Sequence, residues 1–218
     1  RVDYRGGVVE PLDRTQARTV AERLRKRNIR TVAVVLVNAH MNGDHECEVA
    51  EIIRAEHPDA FVCTSNEIMA KLGEHPRTST TVINAALVPV VREYLTDLAD
   101  RLGRMGYDNN VLAMHSGGGV MTADAIAYYA ARIANSGPTA GAIASTFIAE
   151  QCDFQNVIGF DMGGTSTDVS LTYQGAIEMT NEWAVESGYP INFPSTDIET
   201  IGAGGGSIGW VDKGQILN

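Results

Sequence analysis

From Asp13 to Arg27 the apolar positions Ala17, Val20, Ala21 and Leu24 recur at intervals of three and four, the spacing that lines one face of a helix. Thr31 to Val37 then forms a β-branched run, as expected of a strand covered on both faces. The same unit recurs as a helix from about Asp44 to about Glu56, ending before Pro58, and a short strand from Ala60 to Thr64. Helix alternating with strand predicts an α/β layer with a largely parallel sheet. Between Thr78 and Leu102 a longer helical pattern carries Val82, Ala85, Ala86, Val90, Tyr94, Leu95 and Leu98, with Pro89 as a kink.

The second half is patterned differently. A strand from Asn110 to Met114, a glycine turn from Ser116 to Gly119 and an alanine-rich helix from Thr122 to about Ala134 read as another strand-turn-helix unit. Pro138 suits the first turn of a further Ala/Gly-rich helix reaching Glu150, whose small side chains permit close packing. Val157 to Asp161 and Asp168 to Tyr173 then read as two strands around a turn, with Ala176 to Thr180 as a third.

Composition narrows the function classes. Acidic residues outnumber basic ones by 27 to 17, for a formal charge of -10. The one basic cluster, Arg23 to Arg27, falls at a predicted helix end, where cations suit the dipole. Electrostatic binding to nucleic acid or to a membrane surface is therefore not expected. Cys47, Cys63 and Cys152 are widely spaced and form no CxxC pair, which points to a reducing, cytoplasmic setting. No segment reaches the roughly 20 apolar residues of a membrane span, and RVDYRGGVVE lacks the form of a signal peptide. The chain opens in strand-like sequence and closes just after a glycine-rich turn, so a piece of a longer polypeptide is expected.

Three glycine clusters are candidates for chemistry. Gly163, Gly164 and Thr165 offer backbone amides without obstructing Cβ atoms, and Thr165, Ser166 and Thr167 add hydroxyls. Asp161 and Asp168 flank them, where a Mg²⁺ ion reached through its waters offsets phosphate charge. The same residues also suit a tight hairpin, and this pattern alone leaves both readings open. In the second cluster, Gly204-x-Gly206-x-x-Gly209 matches a dinucleotide fingerprint, but Trp210 to Gly214 is a poor helix and these residues hold no acidic residue about 20 positions on. Gly205-x-Ser207-x-Gly209 matches a nucleophile elbow, yet every histidine precedes it. A surface able to lie flat against a nucleoside remains, beside the simpler reading of a bulged turn. The third cluster, Ser116 to Gly119, is an ordinary turn before a helix, or an anion site. His40, Asp44, His45, Glu46, Cys47 and Glu48 look metal-rich, but a loop and an acidic first helical turn account for them better.

The order of the motifs is more specific than any one of them. SGPTAGAIA (136–144) followed by FDMGGTSTDV (160–169) resembles the helix and second phosphate loop of the superfamily of actin, sugar kinases and heat-shock chaperone ATPases. Together with TIGAGGGSI (200–208) and RTSTTVINA (77–85), they resemble the hydantoinase A, oxoprolinase and acetone carboxylase family. The resemblance implies an actin-like, ribonuclease H-like α/β fold: a mixed sheet with flanking helices and parts of two lobes, residues 1–77 ending the first and 78–218 beginning the second. It implies ATP between two phosphate loops, of which only the second occurs in these residues. Gly163, Gly164, Thr165, Ser166 and Thr167 would then hold phosphates, Gly204, Gly205 and Gly206 would approach the nucleoside, and Asp161 and Asp168 would serve catalysis by orienting Mg²⁺. The implied activity is ATP-dependent opening of a cyclic amide of the hydantoin or oxoproline type, through phosphoryl activation of its carbonyl. An ATPase subunit of an acetone- or acetophenone-type carboxylase, acting on a ketone, is the nearest alternative. A nucleotide-dependent switch acting on a protein partner is another. A hydantoinase B-type subunit or domain is the partner that the family implies.

Overall fold

A computed structural model describes residues 1–181, 183–186 and 188–216. Helix α1 (Arg14–Lys26) begins where the Asp13 carboxylate accepts from the Gln16 N–H at 2.9 Å, a cap worth about 1 kcal/mol. Strand β1 (Thr31–Val34) stops short of the expected Val37, because the chain turns to bring the Leu36 N–H to the buried Glu46 carboxylate at 2.7 Å. Helix α2 (Asp44–Glu56) returns the chain to β2 (Phe61–Thr64), which pairs parallel with β1 from Thr31↔Phe61 to Val34↔Thr64. Helix α3 (Ser65–Met69) opens on a capping box between Thr64 and Glu67. Helix α4 (Glu74–Arg104) runs for 31 residues and continues through Pro89.

Beyond α4 the structure departs from the expected strand-turn-helix unit. β3 (Leu112–Met114) and β4 (Val120–Thr122) form an antiparallel hairpin across the glycine turn. The alanine-rich run is divided into α5 (Ala123–Tyr128) and a 3-10 turn, Ala130–Ile133. Buried Asn84 explains the break: its amide nitrogen donates to the Tyr128 carbonyl at 2.9 Å and its oxygen accepts from the Ala131 N–H at 3.1 Å. One side chain thus satisfies backbone groups that a continuous helix would have paired.

Helix α6 (Ser136–Gln151) leads into β5 (Val157–Met162), β6 (Thr167–Tyr173), β7 (Ala176–Ile177) and β8 (Met179–Thr180). Then come β9 (Trp183–Glu186), β10 (Tyr189–Ile191), β11 (Ser195–Thr196) and β12 (Ile198–Ile201). The largest sheet has the order β12-β6-β5, with β7 also on β6. Among the described residues β1 and β2 are the only parallel pair, so the expectation of a largely parallel sheet fails and the architecture is mixed α/β. Short connections are the reason: the turn at Gln174 and Gly175, both at positive φ, joins β6 to β7 directly, and tight turns join only antiparallel strands.

The chain divides into two compact units, one of residues 1–115, 120–134 and 181–193 and the other of 116–119, 135–180 and 194–218. The first packs Ala21, Ala50 and Ile53 against Val34 and Val62 of the parallel pair. Its further core joins Cys63, Ile68 and Ala85 to Ile191 and Phe193, and Val88 and Leu95 of α4 to Ile126. In the second unit α6 packs on the β5–β6 hairpin, where Thr146 and Thr172 share a hydroxyl hydrogen bond of 2.6 Å. Among the described residues no helix is long and apolar enough to cross a membrane.

Candidate functional site

The hairpin of β5 and β6 runs in unbroken register from Val157↔Thr172 to Met162↔Thr167, closed by the loop 163–166. Residues directly opposite in such a ladder project from the same face. Asp161 lies opposite Asp168, and Asp168 lies opposite Thr200 of β12. Two carboxylates and a hydroxyl therefore form one row across three strands. The Thr200 hydroxyl donates to Asp168 Oδ1 at 2.6 Å.

This row sits on the face covered by α6, and missing side chains permit the approach. A Cβ on Gly159 would stand 2.4 Å from Ser170 Oγ and 3.0 Å from Ser145 Oγ of the helix. A Cβ on Gly141, in the second turn of α6, would stand 2.8 Å from Asp161 Oδ2. The opposite face carries exposed Ile158, Phe160, Met162 and Leu171.

Above the row, two glycine loops stack backbone to backbone. The Gly163 N–H donates to the Ser166 carbonyl at 2.9 Å, closing the hairpin turn. The Gly205 and Gly206 N–H groups donate to the carbonyls of Gly163 and Gly164, each at 2.9 Å. A Cβ on Gly204 would lie 2.7 Å from the Gly163 oxygen and 2.8 Å from Ser166 N, so only glycine allows this contact. None of Gly163, Gly164, Gly204, Gly205 and Gly206 has a positive φ; Gly204, and Gly206, where a Cβ would lie 3.0 Å from the Gly164 oxygen, supply close approach rather than a left-handed backbone. The Ser207 hydroxyl accepts from the Gly204 N–H at 3.0 Å and completes the second loop.

The structure thus brings Asp161, Asp168 and the residues of the first two glycine clusters together and gives them different surroundings. Gly164 and Thr165 are exposed, and a Cβ on Gly164 would meet nothing within 4 Å. Among the described residues nothing hydrogen-bonds to the amides of Gly164 or Thr165. Ser166 is half-buried. Thr167 is buried on the other face, and its hydroxyl donates to the Ala203 carbonyl at 2.6 Å. Asp161 and Asp168 have no cationic partner among the described residues, although like charges placed directly opposite repel. Free amides over open space, with a carboxylate pair lacking a counter-charge below, fit a phosphate group accompanied by a divalent cation. Among the described residues no three His, Cys, Asp or Glu side chains converge as metal ligands. An ion held through two carboxylates and its own waters needs no such cluster.

Thr200, Ala203 and Gly141 escaped the sequence reading. Thr200 and Ala203 lie within TIGAGGGSI and Gly141 within SGPTAGAIA, but only the register of β12 and the path of α6 show what they touch.

The other candidates have structural partners. Ser116 accepts from the Asn135 N–H at its hydroxyl and from Thr139 and Thr196 at its carbonyl, and Gly118, at positive φ, packs on Ile143. In the His40–Glu48 stretch, Glu46 is wholly buried and accepts from the Leu36 N–H, the Ser65 hydroxyl and the Asn66 N–H. Buried Arg77 donates to Ser65 Oγ, His40 Nδ1, Glu74 Oε1 and the carbonyls of Lys71 and Leu36. That hydrogen bond fixes His40 Nδ1 as an acceptor.

Comparison with known proteins gives these residues a context. The hydantoinase/oxoprolinase family model matches residues 77–218, and the model of the hydantoinase/oxoprolinase N-terminal region matches residues 1–57. The acetophenone carboxylase gamma subunit of Aromatoleum aromaticum is 34% identical across 98% of the chain and 30% of its own length. The caprolactamase subunit alpha of Pseudomonas jessenii is 32% identical across 100% of the chain and 31% of its own length. The crystal structure of that ATP-dependent caprolactamase superposes with a TM-score of 0.81 over 98% of this chain and 31% of that one. The nucleotide-free structure of acetone carboxylase, from a study of ATP-dependent acetone carboxylation, superposes with a TM-score of 0.83 at 26% identity, over 100% of this chain and 31% of that one. The chain spans about a third of the length of these proteins.

Proposed function

The chain belongs to the hydantoinase/oxoprolinase family, and from that premise we propose that it carries the second phosphate loop of an ATP-dependent enzyme that opens a cyclic amide. The observation that carries this reading is the pair of stacked glycine loops, with the amides of Gly164 and Thr165 open, above the Asp161–Asp168 row. In the proposed site Gly163, Gly164, Thr165 and Ser166 surround the phosphates. Thr167 holds the neighbouring loop through Ala203, and Gly204, Gly205 and Gly206 support the phosphate loop while facing the nucleoside. Asp161 and Asp168 orient Mg²⁺ through its waters. The wider architecture is an actin-like ATPase fold, with residues 1–77 in the first lobe and 78–218 in the second.

An amide carbonyl is a poor electrophile, and ATP, when bound, supplies a phosphoryl group to activate it. The chain's own contribution is positioning and charge neutralisation: fixed amides for the phosphate oxygens, and a carboxylate pair whose repulsion a cation relieves. The proposed substrate is a small cyclic amide, the partner a hydantoinase B-type subunit or domain, and the setting cytoplasmic. The likeness to the acetophenone and acetone carboxylases favours a second reading, an ATPase subunit that activates a ketone for carboxylation.

The test is ATP hydrolysis by the full-length protein in the presence of a hydantoin, 5-oxoproline, caprolactam, acetone or acetophenone. Stimulation by a cyclic amide supports the first reading and stimulation by a ketone the second. Stimulation by a protein partner alone would overturn both in favour of a nucleotide-driven switch.

A further inference from the structure

We infer that Thr200 is a positioning residue for Asp168, an inference that rests on the phosphate-loop reading above. The three-strand row gives Asp168 two neighbours of opposite character: Asp161 on one side, which repels it, and Thr200 on the other, which donates to it. The Thr200 hydrogen bond at 2.6 Å is the one that Asp168 receives among the described residues. It occupies Oδ1 and leaves Oδ2 for a cation or its waters. A β-branched threonine on a strand has few χ1 choices, so its hydroxyl is held in place by the backbone and the carboxylate is fixed in turn. Asp161 is placed differently: its Oδ2 lies against α6 in space that a Cβ on Gly141 would contest, at 2.8 Å. One carboxylate is set by a hydrogen bond and the other by shape, and their separation is set by the ladder.

Partners one layer out from a metal site typically contribute about 10- to 100-fold in metal affinity or activity. Thr200→Val in the full-length protein is expected to raise the Mg²⁺ concentration that half-saturates ATP turnover by about tenfold. Affinity for a fluorescent ATP analogue in EDTA should stay unchanged. Thr200→Ser, which keeps the hydroxyl, should keep the wild-type Mg²⁺ curve; Thr200→Ala, which also removes it, should show the same rise as expected for valine and replaces that variant where it folds poorly. A hydroxyl that served only strand pairing would lower the melting temperature and leave the Mg²⁺ curve in place, and that result overturns the inference. Asp168→Asn separates the two levels. If its Mg²⁺ dependence is that of the wild type, the phosphate-loop reading itself falls; if it is impaired while Thr200→Val and Thr200→Ala are not, only the role of Thr200 falls.

Discussion

At the scale of single residues, the glycines of the site fall into two kinds that separate experimentally. Gly204→Ala places a methyl group 2.7 Å from the Gly163 oxygen, so the loops must part, at a cost of about 1–3 kcal/mol. Gly202→Ala meets nothing within 4 Å and should be silent. Thermal melts and nucleotide titrations of the two full-length variants check this, and equal losses would refute the packing argument. Gly164→Val fills the open space that the proposed phosphate needs and should abolish nucleotide binding in a protein that still folds. Asp161→Asn should keep binding and lose turnover. Cys63 offers a reading of the core: burial, the largest cause, pushes its thiol up to about 11. Because the folded value lies above the ordinary thiol value of 9.0, stability is intact below pH ~9 and falls as pH rises toward ~11. At pH ~8 iodoacetamide should label exposed Cys152 and, more slowly, Cys47, whose thiol is also raised, while Cys63 stays protected; peptide mass spectrometry reads the order.

At the scale of elements, α4 depends on one buried side chain near its start. Arg77 reaches Ser65 of α3, the loop after β1 through Leu36 and His40, and Lys71, and through Ser65 it communicates with buried Glu46. Lysine cannot reproduce that fork. Arg77→Lys should cost about 3 kcal/mol in denaturant unfolding of the full-length protein, and a loss below about 1 kcal/mol would show the network to be dispensable. The helices were legible in the sequence because their apolar spacing is regular: α2 lies where expected, and α1 differs by a residue at each end. The break between α5 and the 3-10 turn was not, because Asn84 acts from a distant part of the chain. In β5, Ile158, Phe160 and Met162 are exposed, while Gly159 and Asp161 face the helix. The chemistry of the hairpin loop could be read from its residue types; its second support, the strand β12 that supplies Thr200, required the register.

At the scale of the whole molecule, the two units are interleaved along the chain: each is assembled from three separate stretches, so the chain passes from one unit to the other five times. No single cut separates them. Truncation after Ala134 removes 181–193 from the first unit, taking with it Ile191 and Phe193 and their contacts with the Cys63, Ile68 and Ala85 cluster. The piece ending at Ala134 should therefore lose cooperative unfolding, which circular dichroism against temperature would show; a sharp transition equal to that of the full-length protein would refute it. The interleaving also bears on heredity. A single recombination crossover between two relatives cannot exchange one unit whole and keep the other whole, because any cut leaves at least one unit with stretches on both sides of it.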